Sequence, residues 1–300
     1  MTVPTTAGVA ALRTVTCGGL VHLLGDPCDA QPLPEKHNVL GIGDAALAAF
    51  AIAVVQGRDA ALVRHEPKDH GTCRQIDGVY DETLPCVVFF SNDADQAIVE
   101  GLGLDVRQWT RVPAGQGWPD HLSPLPARAL PHQPVHDFRD CAELLVDRTF
   151  TRSSGELADY YFETLTPAHT YRVAAAFAAA QQGRTWGAAV GVRWGGAYLA
   201  AAVALSLGLP LLMADPDGRP ESVDRAPAAE PVLLVDDLVN TGRAFVRCEP
   251  LLAAAGLSPA GRTALFALGR RSPAACGEVS VAARLIHEEL VVSHSHTPVS

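Results

Sequence analysis

At residues 232–245 the string VLLVDDLVNTGRAF gathers two carboxylates, a hydroxyl, a glycine and an arginine behind a run of apolar residues. The four apolar residues before Asp236 and Asp237 make a buried strand, and the short loop holding Thr241 and Gly242 leads into a helix. Open parallel sheets bind their ligands at the C-terminal ends of the strands. A glycine-containing loop at a helix N-terminus turns backbone N–H groups toward an anion, and the helix dipole favours its charge. Ionised Asp236 and Asp237 only accept hydrogen bonds, so they suit sugar hydroxyls and not a phosphate. The plain alternative for the pair is helix capping.

A second cluster, RHEPKDHG, lies at 64–71. The chain has 21 arginines and two lysines, Lys36 and Lys68. Lys68 stands in this cluster behind Pro67, with His70 and Gly71 following, in a chain that otherwise chooses Arg.

The elements that must position these residues form a pattern that occurs twice. NVLGIGDAALAAFAIAVVQGRDAALVRH (38–65) and AAVGVRWGGAYLAAAVALSLGLPLLMAD (188–215) each read as strand, glycine-containing turn, Ala-rich helix and strand, a βαβ unit. A further apolar strand follows in each half, CVVFF at 86–90 and PVLLVDD at 231–237, and then a helical stretch. Strands alternating with helices imply an α/β fold with a parallel sheet covered on both faces. Between Arg107 and His136 six prolines and two glycines mark a linker. The expected division is a first domain at 1–106, a linker at 107–136 and a second domain at 137–300.

Composition bounds the partners. At 300 residues and 48% hydrophobic the chain can bury a large core, and a formal charge of −10 argues against binding nucleic acid. Small ligands are expected. The N-terminal MTVPTTAGVAALRTVT lacks the basic start and apolar core of a secretory signal, and no uncharged apolar stretch is long enough to span a membrane. A soluble, cytoplasmic protein is expected. The seven cysteines are scattered without a C-x-x-C pair and read as reduced packing thiols, and His287, His294 and His296 as a polar end and not a metal site.

The 232–245 string closely resembles the phosphoribosyl-pyrophosphate (PRPP) motif of type I phosphoribosyltransferases, four hydrophobic residues, an acidic pair and a Thr/Gly loop. The resemblance implies that Asp236 and Asp237 hold the ribose 2- and 3-hydroxyls. It also implies that residues 239–244, among them Asn240, Thr241, Gly242, Arg243 and Ala244, grip the 5-phosphate. RHEPKDHG resembles the mobile catalytic loop of orotate phosphoribosyltransferases, Arg-Lys-x-x-Lys-x-His-Gly, and IDG at 76–78 matches what usually follows it. Arg64, Lys68 and His70 then fall on positions that contact pyrophosphate, and His65 replaces a Lys. GVRWGG at 191–196 aligns with the family's pyrophosphate loop through Arg193, Gly195 and Gly196, with Gly195 where orotate enzymes often have Lys. FTRSSGELADYYFE at 150–163 looks like the family's N-terminal segment, which puts Tyr161 and Phe162 at the base site and Ser153 in place of another Lys. In LFALGRRS, 265–272, Arg270 coincides with the Arg that contacts the orotate ring.

The fold implied is two type I phosphoribosyltransferase-like, Rossmann-like domains, each a mostly parallel sheet flanked by helices. Their losses are complementary. In VVFFSNDADQ the first half is expected to carry Phe89 and Phe90 at the Asp positions and Asp95 at the Gly, and so not to bind PRPP. The second half keeps the acidic pair, but its MADPDGRPESVD segment lacks Lys and His. In the family the mobile loop of one subunit closes over its partner's site. The chain therefore resembles a fused pseudo-dimer with one composite site, whether or not two chains pair further into a homodimer. The activity implied is transfer of the 5-phosphoribosyl group from PRPP to orotate or an orotate-like aromatic heterocycle, releasing pyrophosphate. Mg2+ would be held through PRPP near Asp236 and Asp237, without direct protein ligands. On this reading Lys68 stays Lys because a compact, mobile ammonium must reach pyrophosphate, where a planar guanidinium is no equal substitute. Two other functions fit parts of the pattern: a PRPP or nucleotide sensor, which would not need the KDHG loop, and a PRPP synthetase-like enzyme, for which no ATP-binding signature is seen.

Overall fold

The computed structural model of the chain describes residues 12–67, 74–130, 149–151, 185–227, 231–268 and 277–285, and the strand pieces 5–6, 143–145, 157–158 and 161–163. In the first half the elements are β1 (Thr5–Thr6), β2 (Arg13–Cys17), β3 (Leu20–Leu24), β4 (Asn38–Ile42), α1 (Ala46–Gln56), β5 (Ala61–Val63), β6 (Ile76–Gly78), β7 (Cys86–Phe90), α2 (Asp93–Gly101), β8 (Val106–Arg111) and β9 (Ala114–Gln116). In the second they are β10 (Glu143–Leu145), β11 (Phe150–Thr151), β12 (Leu157–Ala158), β13 (Tyr161–Glu163), β14 (Ala188–Val192), α3 (Gly195–Leu207), β15 (Leu211–Ala214), β16 (Pro231–Val239), α4 (Arg243–Ala254), β17 (Ser258–Leu268) and β18 (Ser280–Leu285).

Two large sheets result, ordered β1-β8-β7-β4-β5-β6 and β18-β17-β16-β14-β15-β3-β2-β9. Both are mostly parallel and flanked by helices, the α/β architecture expected from the alternating pattern. The run β8-β7-β4-β5 has the same order and direction as β17-β16-β14-β15. A glycine marks the same step in each. A Cβ on Gly41 would lie 2.5 Å from Ala46 Cα, and one on Gly191 would lie 2.7 Å from Ala197 Cα. Each helix start is thereby laid directly on the strand before it.

The helices α1 and α3 are apolar nearly all round, which is the signature of a helix buried on every side. They pack on each other between the sheets and share one hydrophobic core. Phe50 and Tyr198 meet with ring centroids 5.3 Å apart, and Tyr198 Oη donates to the Arg58 carbonyl at 2.6 Å. A buried phenol with a hydrogen-bond partner gives this otherwise smooth Ala-rich contact one preferred register. On the far faces, α2 and α4 each bury one stripe, through Val99 in one and Phe245, Cys248, Leu251 and Leu252 in the other.

Two features depart from the expected domain division. Residues 106–116, assigned in part to the linker, form β8 and β9: V-R-Q-W-T-R pairs in parallel with β7 and buries Trp109 and Thr110, and Ala114–Gln116 pairs with β2. The hairpin β2–β3 lies in the second half's sheet, antiparallel to β15. The reason lies in an uncovered edge. In the first half β6 closes the edge of β5, whereas residues 215–227 after β15 carry only a 3-10 turn at Pro220–Ser222. The fully buried L-V-H-L-L of β3 fills that place and covers an edge that would otherwise be sticky.

His22 in β3 is fully buried, and burial pushes its imidazole pKa down from 6.5 to about 4, against a smaller opposing effect of the Ser123 backbone. Because the folded pKa is the lower one, the unfolded chain takes up the proton first. Stability from this residue is complete above pH 6.5 and drains away as pH falls toward about 4. The total is on the order of 3 kcal/mol. Urea unfolding across this range should show that slope in the wild type and a flatter one in His22→Leu. An equal slope in both would show that His22 does not carry it.

Candidate functional site

The C-terminal end of β16 is where the site begins. Val232 to Val235 are buried between the core clusters, and the strand continues through Asp236 and Asp237 to Val239. Asp236 is itself buried. Burial first, and the neighbouring Asp237 charge second, hold its carboxyl well above the ordinary carboxylate range. The Asp237 N–H donates to Asp236 Oδ1 at 3.0 Å, and the Leu238 N–H donates to Asp237 Oδ1 at 2.8 Å. Beyond the acidic pair the chain turns through Asn240 and Thr241. Gly242, at φ 75°, is the N-cap of α4, a conformation that side-chain-bearing residues rarely adopt. Thr241 Oγ1 accepts from the Arg243 N–H at 3.4 Å.

The turn after β14 completes this end of the sheet. Arg193 donates through Nη1 to Asp215 Oδ2 at 2.8 Å, and its guanidinium lies over the Trp194 ring with Cζ 3.9 Å from the centroid. The Arg193–Trp194 peptide is cis. Gly195 and Gly196 then start α3 against the acidic strand. A Cβ on Gly195 would overlap Asp237 Oδ1, and one on Gly196 would overlap the Val235 carbonyl oxygen. A side chain at Gly195 would displace the Asp237 carboxylate from its present position.

These elements enclose a cavity of about 590 Å3. Arg193, Asp236, Asn240, Thr241, Gly242, Arg243 and Ala244 line it, and so does Arg64, which comes from the other half of the chain. Asp237, Gly195 and Gly196 stand behind the lining. Lys68, His70 and Arg270 lie outside the described residues, as do the side chains of Tyr161 and Phe162, whose backbone forms β13 against β10. Sequence reasoning missed Trp194, Asp215, Asp217 and Arg247, which also face the cavity. Two of these had a readable signal. Arg247 is four residues after Arg243 on one helix face, and Asp215 follows the C-terminal end of a parallel strand.

The cavity's charge is already arranged around acceptors. Arg64 pairs with Asp77, Arg193 with Asp215 and Arg247 with Asp217. Four guanidiniums around a space of this size suit a ligand with several anionic oxygens, which would replace or join those carboxylates.

The equivalent turn of the first half carries different residues, and strand pairing shows which. Gly41 lies opposite Phe89 as Gly191 lies opposite Val235. The residues level with Asp236 and Asp237 are therefore Phe90 and Ser91, one position later than the expected Phe89 and Phe90. Asp95 is also not at the Gly242 position. The N-cap of α2 is Asn92, reached by a shorter turn from β7, and Asp95 is the third helical residue. Its backbone N–H donates to Asn92 Oδ1 at 2.9 Å. A hydroxyl and a phenyl ring have replaced the acidic pair, and a carboxylate sits at the helix N-terminus.

Neither a protein-family model nor a curated protein matches the chain. Among solved structures it is similar to the orotate phosphoribosyltransferase of Aeropyrum pernix, at 22% identity and TM-score 0.39, with 52% of this chain and 95% of that chain covered. It is similar to the UMP synthase of Leishmania donovani at 21% identity and TM-score 0.40, covering 52% of this chain and 36% of that one. The adenine phosphoribosyltransferase of Thermoanaerobacter pseudethanolicus matches at 19% identity and TM-score 0.31, covering 42% of this chain and 87% of that one. At these identities and TM-scores, chemistry has to be argued from the cavity's own residues. Among the described residues no helix is long and apolar enough to cross a membrane.

The raised Asp236 pKa has a consequence for stability. A group whose folded pKa exceeds its unfolded value of 3.8 stabilises the fold below that pH and loses the contribution as pH rises through the folded pKa. Ionised Asp236 thus burdens the ligand-free protein near neutral pH. Asp236→Asn should raise Tm at pH 8, by roughly 2 to 4 °C for each kcal/mol relieved, and by less at pH 4. Scanning calorimetry at the two pH values checks this, and a lowered Tm at pH 8 would refute it.

Proposed function

We propose that the chain is a phosphoribosyltransferase that moves the 5-phosphoribosyl group from PRPP to orotate or an orotate-like aromatic heterocycle and releases pyrophosphate. The single observation that carries this is the cavity in which Asp236, the 240–244 loop, Arg193 and Arg64 converge. Each part has work in that reaction. Asp236 and Asp237 accept from the ribose hydroxyls. The backbone of 240–244, at the N-terminus of α4, takes the 5-phosphate. Arg193 faces the pyrophosphate from the β14 turn, and Arg64 faces it from the first half.

The acceptor's nucleophilic atom bonds to C1 of the ribose as the bond from C1 to the pyrophosphate oxygen breaks, and the electron pair leaves with pyrophosphate. Charge therefore builds on the leaving group while the sugar carbon becomes cationic. Fixed guanidiniums stabilise the first without reorganising. Lys68 and His70 are assigned the same task, and exclusion of water from the site would protect the sugar cation. Tyr161 and Phe162 would stack on the acceptor, and Arg270 would meet its carboxylate or carbonyl.

The donor set fits Mg2+ in company with PRPP and not alone. Among the described residues no three His, Cys, Asp or Glu side chains gather at one point, while Asp236 and Asp237 crowd two carboxylates together. Held with PRPP beside Asp236 and Asp237, the ion would neutralise leaving-group charge and relieve that crowding.

The two halves are read as a pseudo-dimer with one composite site, in which the first half lends cations and the second binds substrate. Pyrophosphate release from Mg–PRPP should appear with orotate or another heterocyclic carboxylate or amide. Lys68→Ala should lower kcat by on the order of 10² to 10³ without unfolding the protein. An unchanged rate would remove Lys68 from the mechanism, and PRPP binding with no acceptor-dependent release would favour a sensor instead.

A further inference from the structure

The turn that lost its acidic pair in the first half still holds an anion, and the anion is its own. Asp95 is buried at the start of α2, where Oδ2 accepts from the Ser91 N–H at 3.3 Å and from Asn92 Nδ2 at 2.9 Å. Gly43, at φ 56°, faces it so closely that a Cβ would stand 3.2 Å from Oδ2. A carboxylate thus fills the space where a helix N-terminus would otherwise attract an outside anion.

Capping uses Oδ2 and the Asp95 N–H, and Oδ1 is directed elsewhere. His65 Nε2 lies 2.8 Å from it. An ionised carboxylate only accepts, so Nε2 carries the hydrogen. His65 follows Arg64, the residue that reaches the other half's cavity. The same short segment is gripped by β6 and its approach. The Arg64 N–H donates to the Gln75 carbonyl at 2.8 Å, Gln75 Nε2 donates to the Arg64 and His65 carbonyls at 3.1 and 3.4 Å, and the Arg64 guanidinium pairs with Asp77. An exposed His–Asp pair would do little. Here the acceptor is buried and fixed by its other bonds, so only the imidazole has to be ordered.

We propose that Asp95 is a positioning residue for the composite site: standing in for a bound anion in the first half, it holds His65 and so presents Arg64 to the ligand of the second half. This rests on the reading that the cavity binds PRPP. It also gives a reason for His65 where the resembled family has a Lys: a ring nitrogen at this distance meets a buried Asp that a phosphate-binding turn would not contain.

The test measures Mg–PRPP affinity by calorimetry and kcat for pyrophosphate release in His65→Leu, His65→Gln, Asp95→Asn and the double variant His65→Leu/Asp95→Asn, together with His65→Leu in an Arg64→Ala background. His65→Leu should weaken binding or lower kcat by about tenfold, the lower end of what one hydrogen bond to a charged group contributes. Its Tm should fall by less than that of Asp95→Asn, since His65 is half-exposed and Asp95 also caps α2. His65→Gln, whose amide can still donate, should recover part of the loss. The double variant should be no worse than the worse single one, and in the Arg64→Ala background His65→Leu should add nothing. A fully active His65→Leu, or a loss that adds in full to that of Arg64→Ala, overturns the proposal. A wild-type protein that neither binds nor turns over Mg–PRPP overturns the reading of the cavity, and the proposal with it.

Discussion

Two carboxylates held side by side at the end of a buried strand repel each other, and the surroundings of the cavity are built about that repulsion. Burial and the Asp237 charge both push Asp236 toward its neutral form. A side chain at Gly195 would push the Asp237 carboxylate aside, and none fits at Gly196 because α3 starts on the strand itself. Arg193 and Arg247 reach the same cavity but each is held by a neighbouring Asp. Hydroxyl donors and a cation at this point would relieve that repulsion, so strain in the empty site would favour binding of a ligand that brings them.

The helix contact between the halves decides where Arg64 ends up. α1 and α3 are so rich in alanine that they approach closely, and Phe50, Tyr198 and the Arg58 carbonyl fix their register. β5, which carries Arg64 at its end, is tied to the same body of packed helices through β4. The hairpin β2–β3, crossing into the second sheet beside β15, adds a second tie. A cation supplied from one half to a ligand in the other needs such rigidity, because a misplacement of about 1 Å can cost a hundredfold in rate.

Local features of the chain were legible before the fold was seen. The apolar run ending in Asp236 and Asp237, the Thr241–Gly242 turn and the two βαβ units each depend on residues close in sequence, where periodicity and turn chemistry act. What was not legible depends on pairing at a distance. L-V-H-L-L reads as a strand, but nothing within it says that its neighbour is Leu211–Ala214, far along the chain. V-R-Q-W-T-R was masked by the prolines that follow it. The one-residue slip between Phe89–Phe90 and Phe90–Ser91 arises because the turn in the first half is shorter, so counting back from the helix misplaces the strand. Asp217 and Arg247 face the same cavity from separate elements, and only the folded chain brings them together.

One ligand site assembled from both halves is measured most directly by titrating Mg–PRPP into the purified protein by calorimetry. One site per chain, lost in Asp236→Asn and weakened in Arg64→Ala, is the expected result. Two equivalent sites per chain, or binding indifferent to both substitutions, would contradict it.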